Sequence, residues 1–257
     1  MDLSTVIYEL RDHVATVTLD RPDAMNSFNQ AMLDDFDRIW ATVRTDDDVH
    51  VVVLRAAGDR AFCTGVDVKE GIDRHPNIWT QDDPGEHLSP KANQVWKPLI
   101  CAVHGMAAGG AFYWINEADL VICSEDATFF DPHVSYGMTS ALEPIGLARR
   151  IPLGEVLRWA LIGLDERISA QTALRVGLVS EVLPREELWE HADRLARIIA
   201  AKPPAAIQGT VRAIWESLDS TRTQALRTGL SYTQLGNPIG TAQVERSSLQ
   251  RPKPTIR

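Results

Sequence analysis

Three short runs, Val51 to Leu54, Leu99 to Val103 and Leu120 to Cys123, are apolar without alternation. A strand with one wet face alternates apolar and polar residues, so an unbroken run of this length reads as a strand buried on both faces. The first run extends as a strand to Arg55. An N-terminal hairpin precedes it, Thr5 to Leu10 and Val14 to Leu19 about a polar turn at Arg11-Asp12-His13. Between hairpin and strand, Met32, Leu33, Phe36, Ile39, Trp40 and Val43 draw one helical stripe, with Asp34, Asp35, Asp37 and Arg38 on the opposite face. From Pro98 the theme returns as a strand, a glycine- and alanine-rich turn, a helix through Trp114 to Glu117, and a strand. Gly71 to Pro90, rich in Asp, His, Pro and Gly, has no steady period and reads as a loop or mobile lid. Beyond about Ala141 strand signals fade, apart from Leu178 to Leu183. Two helical stripes follow: Leu188, Ala192, Leu195, Ile198 and Ile199, then Ile207, Val211, Ile214, Trp215 and Leu218 after the Pro203-Pro204 break. The expected fold is α/β, a core over 1–185 followed by a helical region over 186–257. Those two stripes offer more apolar face than a lone chain should leave wet.

The 257 residues suffice for a sizeable core without disulfide or metal staples. Lys plus Arg number 26 against 35 Asp plus Glu, a formal charge of −9, which argues against nucleic acid as a partner. No apolar run approaches the ~18–20 residues of a bilayer crossing, and the acidic residues among the first twenty do not form a signal peptide, so the expected location is the cytoplasm, with no membrane partner. Cys63, Cys101 and Cys123 are widely spaced with no C-x-x-C, and read as buried apolar residues rather than disulfides or metal ligands.

Two small-residue loops could carry chemistry. Ala61-Phe62-Cys63-Thr64-Gly65-Val66-Asp67 holds a glycine turn that would open a short helix capped by Asp67. His104-Gly105-Met106-Ala107-Ala108-Gly109-Gly110-Ala111 would end a buried strand and start a helix. Small side chains let a ligand reach the main chain, and two amides converging on one carbonyl oxygen make an oxyanion hole suited to enolates. Tight strand-to-helix packing accounts for the same glycines, so spacing alone does not decide. Dinucleotide and phosphate-loop fingerprints, H-E-x-x-H and G-x-S-x-G are all absent.

The runs Arg21-Pro22-x-Ala24-Met25-Asn26, Ala61-Phe62-Cys63-x-Gly65-x-Asp67-x-Lys69-Glu70, Gly105-x-Ala107-x-Gly109-Gly110 and Leu164-x-Glu166-Arg167-Ile168-Ser169-Ala170-x-x-Ala173-x-x-x-Gly177-Leu178-Val179 resemble, in order, the enoyl-CoA hydratase/isomerase (crotonase) superfamily. The resemblance implies a spiral of ββα units, C-terminal helices used for trimer contacts, in a homotrimer or dimer of trimers, and an acyl-CoA thioester as ligand. It implies that the amides of Val66 and Gly110 hold the thioester oxygen, and that Ala24, Met25, Val66, Asp67, Val68 and Lys69 line the CoA channel. It calls for no metal and no redox cofactor, CoA being part of the substrate.

Family hydratases carry a glutamate three residues after the second oxyanion glycine and another twenty further on, where this chain has Tyr113 and His133. A phenol with a reference pKa of about 10 can only donate or orient, whereas an imidazole near 6.5 is a credible base. Glu143 lies near where some superfamily members keep an acidic catalytic residue, and reads equally as a carboxylate favoured at a helix N-terminus. Asp131 is a second candidate partner for His133, although Asp131-Pro132 also reads as turn chemistry. The expected catalytic set is therefore Val66, Gly110, His133, Tyr113 and Glu143. Three functions remain open: hydration or isomerisation of an enoyl-CoA, hydrolytic C–C cleavage of a β-keto or cyclic diketone acyl-CoA with His133 oriented by Glu143, and acyl-CoA binding without chemistry.

Overall fold

The computed structural model describes residues 1–73, 76–245 and 253–256. The N-terminal hairpin pairs β1 (Val6–Arg11) with β2 (Val14–Leu19), antiparallel. Its two turn residues, Asp12 and His13, have φ of 50° and 65°, the left-handed pair that matches strand twist in a two-residue turn. The chain then winds three times, each time giving a strand to a large sheet and a three-residue strand to a small one. These pairs are β3 (Val51–Ala56) and β4 (Ala61–Cys63), β5 (Leu99–Val103) and β6 (Met106–Ala108), and β7 (Leu120–Ser124) and β8 (Thr128–Phe130). A two-residue β9 (Ile168–Ser169) extends the small sheet, and β10 (Glu181–Leu183) closes the large one, parallel to β7. The orders are β1-β2-β3-β5-β7-β10 and β4-β6-β8-β9.

Alternate residues of the central strands enter two cores, as unbroken apolar runs require. Val52, Leu54 and Cys101 join Phe36, Trp40 and Trp114 on one side. Val51, Val53, Ile100 and Ile122 face Leu188, Ala192, Ala196 and Ala200 on the other. The first side is covered by α1 (Gln30–Thr45), whose whole predicted stripe is buried and whose N-cap, Asn29, accepts from the Met32 amide at 3.1 Å. Asp35, expected on the wet face, is buried instead. Its carboxylate accepts from the amides of Ser4 and Thr5 and from the Thr5 hydroxyl, and these bonds offset its desolvation. All three cysteines are buried, and burial pushes the Cys63 thiol up to about 12.

The segment expected to be a loop or lid, 71–90, holds a helical turn at Ile78–Thr80 and the one-turn helix α2 (Gly85–Leu88). Leu88 is fully buried, and its carbonyl accepts from Trp40 Nε1 at 3.1 Å. The C-terminal half of the segment is therefore core-anchored, and one turn is too short for any period to reveal it. Arg74 and His75 lie outside the described residues. The first loop, expected to open a short helix, forms only consecutive turns after Asp67.

The remaining helices are α3 (Phe112–Glu117), α4 (Leu142–Leu147), α5 (Leu153–Ile162), α6 (Ala170–Val176), α7 (Leu188–Ala200), α8 (Pro204–Ser217) and α9 (Arg222–Ala242). α7 lays most of its stripe on the large sheet. Within the region from 186 onward, α8 and α9, tied to the core by Trp215 of α8 donating to Asp119 at 2.7 Å, form a helical hairpin in which Gly240 meets Ala206. Its apolar residues Ile214, Leu218, Leu226, Leu230, Leu235 and Ile239 are exposed. No described helix is long and apolar enough to cross a membrane.

Gly105 joins β5 to β6 at φ +57°, and a Cβ there would stand 2.4 Å from the Arg60 carbonyl oxygen. Gly105→Ala is expected to lower stability by about 1–3 kcal/mol through backbone strain alone, with the clash adding to it. Urea unfolding at constant m-value checks this, and an unchanged midpoint would contradict it.

Candidate active site

The loops leaving β4 and β6 meet main chain to main chain. Gly65 has φ +87°, and a Cβ on it would lie 3.3 Å from both the Gly110 nitrogen and the Ala108 carbonyl oxygen. Glycine is needed here for conformation and for closeness. Phe28 fixes the first loop: its amide donates to Gly65 O at 2.9 Å and its carbonyl accepts from Asp67 N at 2.7 Å. The Val66 amide between them has no acceptor among the described residues. The Phe28 ring also occupies the space over Gly110, where a Cβ would come within 2.4 Å of it. Phe28 thus shapes both loops, a role that nothing in its sequence context signals.

Both loops line a cavity of about 520 Å³. The structure gathers Ala24, Met25, Val66, Asp67, Val68, Lys69, Gly110 and His133 around it. Met25 and Asn26 adopt positive φ, and the Asn26 amide group donates to the carbonyls of Ala57 and Ala61, both at 2.9 Å, which ties this turn beside β4. Asp67 lines the cavity, but its carboxylate is engaged. It accepts from Arg21 Nη2 at 3.0 Å and from the amides of Lys69 and Glu70. Although burial opposes ionisation, these bonds hold its pKa below the usual carboxylate range. Lys69 and Arg167 bring positive charge to the wall, Arg167 lying 4.2 Å over the Phe130 ring.

His133 enters from the turn after β8. Its Nδ1 lies 2.5 Å from Asp131 Oδ1, which also accepts from the His133 amide at 2.9 Å, while Ser140 Oγ donates to Asp131 Oδ2. The hydrogen bond to Asp131 raises the imidazole pKa above its ordinary value; burial opposes this, and the charges of Asp131 and Glu143 add to it. Burial pulls the Asp131 pKa up, but the bonds from His133 and Ser140 outweigh it and hold the carboxylate low. Glu143 faces the other nitrogen, Oε1 to Nε2 at 3.9 Å, and burial raises its pKa despite the nearby imidazole. Asp131, not Glu143, is thus the hydrogen-bonded partner that orients His133, because the turn at Pro132 folds its carboxylate back onto the ring. With Nδ1 engaged by Asp131, Nε2 is the nitrogen left to face Glu143, whose carboxyl retains its proton to higher pH than usual. A Cβ on Gly109 would lie 3.6 Å from His133 Cε1, so the ring rests against the second loop.

Tyr113 is not brought to this cavity. Its hydroxyl donates to Asp83 Oδ1 at 2.8 Å, and it lines a neighbouring cavity. Burial, then the charges of Glu143 and Asp83, push its phenol pKa up. Asp83 was not legible as a partner because it lies 30 residues along the chain from Tyr113, and no pattern marks Ser140, nine residues from Asp131, as its donor.

The family model for enoyl-CoA hydratase/isomerase matches residues 9–249. The chain belongs to the enoyl-CoA hydratase/isomerase family. It is 37% identical to an (E)-benzylidenesuccinyl-CoA hydratase of Thauera aromatica, over 90% of this chain and 88% of that one. It is 31% identical to a short-chain-enoyl-CoA hydratase of Clostridium acetobutylicum, over 83% and 82%. Among solved structures, an enoyl-CoA hydratase/isomerase from Mycobacterium paratuberculosis superposes with a TM-score of 0.84 at 34% identity, covering 96% of this chain and 93% of that one. The two sheets and the helices around them are those of the crotonase fold, as the sequence motifs implied. In this enoyl-CoA hydratase/isomerase family member an Asp131–His133 pair faces a buried glutamate.

Proposed function

We propose that this protein hydrates a 2-enoyl-CoA thioester, with the amides of Val66 and Gly110 binding the thioester oxygen. The observation that carries the reading is the Asp131–His133 pair resting on Gly109, with Glu143 3.9 Å from its free nitrogen. Neutral His133 takes a proton from water at Nε2 as the oxygen bonds to Cβ. The double-bond electrons move to the thioester oxygen as an enolate, which amide donors stabilise more than the starting ester. Protonated Glu143 delivers its proton to Cα, the enolate collapses to the thioester, and the imidazolium returns a proton to Glu143. Each group thus recovers its starting state. Ala24, Met25 and the stretch from Val66 to Lys69 are read as the CoA channel, with Lys69 and Arg167 supplying charge for its phosphates.

Incubation with straight-chain enoyl-CoAs and β-diketone acyl-CoAs, read by mass spectrometry, tests this. Addition of water without cleavage is the expected result. Cleavage would instead select the C–C hydrolase reading, and saturable binding without turnover the binding protein.

The assembly we infer is a trimer or dimer of trimers. The exposed apolar residues of the α8–α9 hairpin and the row Leu153, Leu157 and Leu161 on α5 support it, whereas most of the α7 stripe is used within the chain. Light scattering at micromolar concentration should report three or six chains, and a single-chain mass would overturn it.

A further inference from the structure

A second cavity, of about 540 Å³, adjoins the first across Tyr113. Tyr113 lines it, while Cε2 of the same ring lies 3.4 Å from where a Cβ of Gly110 would stand, and Gly110 lines the first cavity. The second cavity falls within the roughly 300–1,000 Å³ of small-molecule pockets, far more than a four-carbon acyl group fills. Trp96, Leu142, Ile145 and Trp215 make its walls apolar and aromatic. Among the described residues it also carries five carboxylates against two cations, and both cations are paired. Lys91 lies 3.0 Å from Asp119, and Arg149 lies 3.3 Å from Asp219.

The ring between the cavities is held on its face and at its tip. Its face lies on Gly85, where a Cβ would come within 1.9 Å of it. Its hydroxyl donates to Asp83 Oδ1 at 2.8 Å, and the same oxygen accepts from the Gly85 amide at 2.9 Å. Asp83 and Gly85 belong to the segment between β4 and β5, so a ring carried by α3 is pinned by a different element.

We propose that Tyr113, latched by Asp83, is the acyl-specificity gate of the thioester site, and that the cavity behind it admits an apolar acyl end and rejects an anionic one. The inference rests on the reading that the first cavity binds CoA thioesters. With the ring in place, an acyl group leaving Gly110 meets a wall. With the ring removed, the two volumes join and a longer chain gains apolar contact. A carboxylate at the chain's far end would arrive among carboxylates with no free cation, which like-charge repulsion disfavours.

Calorimetric binding of saturated acyl-CoAs tests the gate without requiring turnover. The probes are butyryl-CoA, octanoyl-CoA, and an octanoyl-length CoA ester ending in a carboxylate. Tyr113→Ala should shift the octanoyl-to-butyryl affinity ratio toward octanoyl by about tenfold or more, the scale of a few methylenes in an apolar pocket. Tyr113→Leu, closer in volume, should shift it less in the same direction, and serves if the alanine variant does not fold. Asp83→Ala should produce part of the shift, whereas Asp83→Asn, which keeps an acceptor oxygen, should restore the wild-type ratio. In the Tyr113 variants the carboxylate-ended ester should bind more weakly than octanoyl-CoA. A wild-type ratio in both Tyr113 variants overturns the gate, and equal binding of the two long esters overturns the exclusion of anions. A wild-type protein that binds none of the three overturns the thioester reading itself, and the gate with it.

Discussion

His133→Ala is expected to lower turnover by about 10²–10⁴-fold while leaving CoA-thioester binding nearly intact, since the loop amides and the channel are untouched. The pH dependence should carry the signature of the Asp131 pairing. Only the neutral imidazole accepts a proton, so kcat/KM should rise with pH through the His133 pKa. That pKa lies above its ordinary value because Asp131 favours the charged ring. Asp131→Asn removes the largest raising influence, so the acid limb should move to lower pH while the rate falls from loss of ring orientation. Glu143→Gln should depress kcat through loss of the proton donor, whose pKa burial raises. Steady-state profiles of the three variants on one proven substrate check this. Wild-type turnover in His133→Ala would return the histidine to a structural role.

Val66→Pro is expected to cost about 10²–10³-fold in rate, the typical effect of losing one oxyanion donor. The substitution isolates the donor well. The Val66 amide serves no intramolecular bond among the described residues, and the residue is 39% exposed, so losing its N–H breaks no hydrogen bond within the loop. An unchanged melting temperature would establish that the fold survived, and full activity in that background would remove Val66 from the oxyanion site. Gly110→Ala is the weaker probe. Its Cβ would stand 2.4 Å from the Phe28 ring, so lost activity there would mix packing with chemistry.

Elements with many residues per period were the readable ones. The α1 stripe occupies several turns, and all six of its apolar residues are buried where the pattern placed them. The unbroken strands announced burial on both faces, and each does feed two cores. The small sheet went unread because β4, β6 and β8 have three residues each, too few for alternation to register. Yet that sheet is what brings the two glycine loops together. Asp35 shows the opposite failure: a residue with the right period for the wet face is buried because Ser4 and Thr5, just ahead of the first strand, lend it their amides and hydroxyls.

Residue types and their order along the chain determined the α/β class and where the two glycine loops fall, because backbone approach requires glycine and small residues at particular positions, whatever surrounds them; the candidacy of His133 came from the family resemblance. Which carboxylate serves which partner was decided by tertiary structure alone. Asp131 reaches His133 through a local turn, Glu143 stops 3.9 Å short, and Asp83 comes from a distant segment to take the Tyr113 hydroxyl. Hydrogen bonding and desolvation act over a few ångströms in space, and sequence separation carries no information about that distance once the chain has folded back on itself.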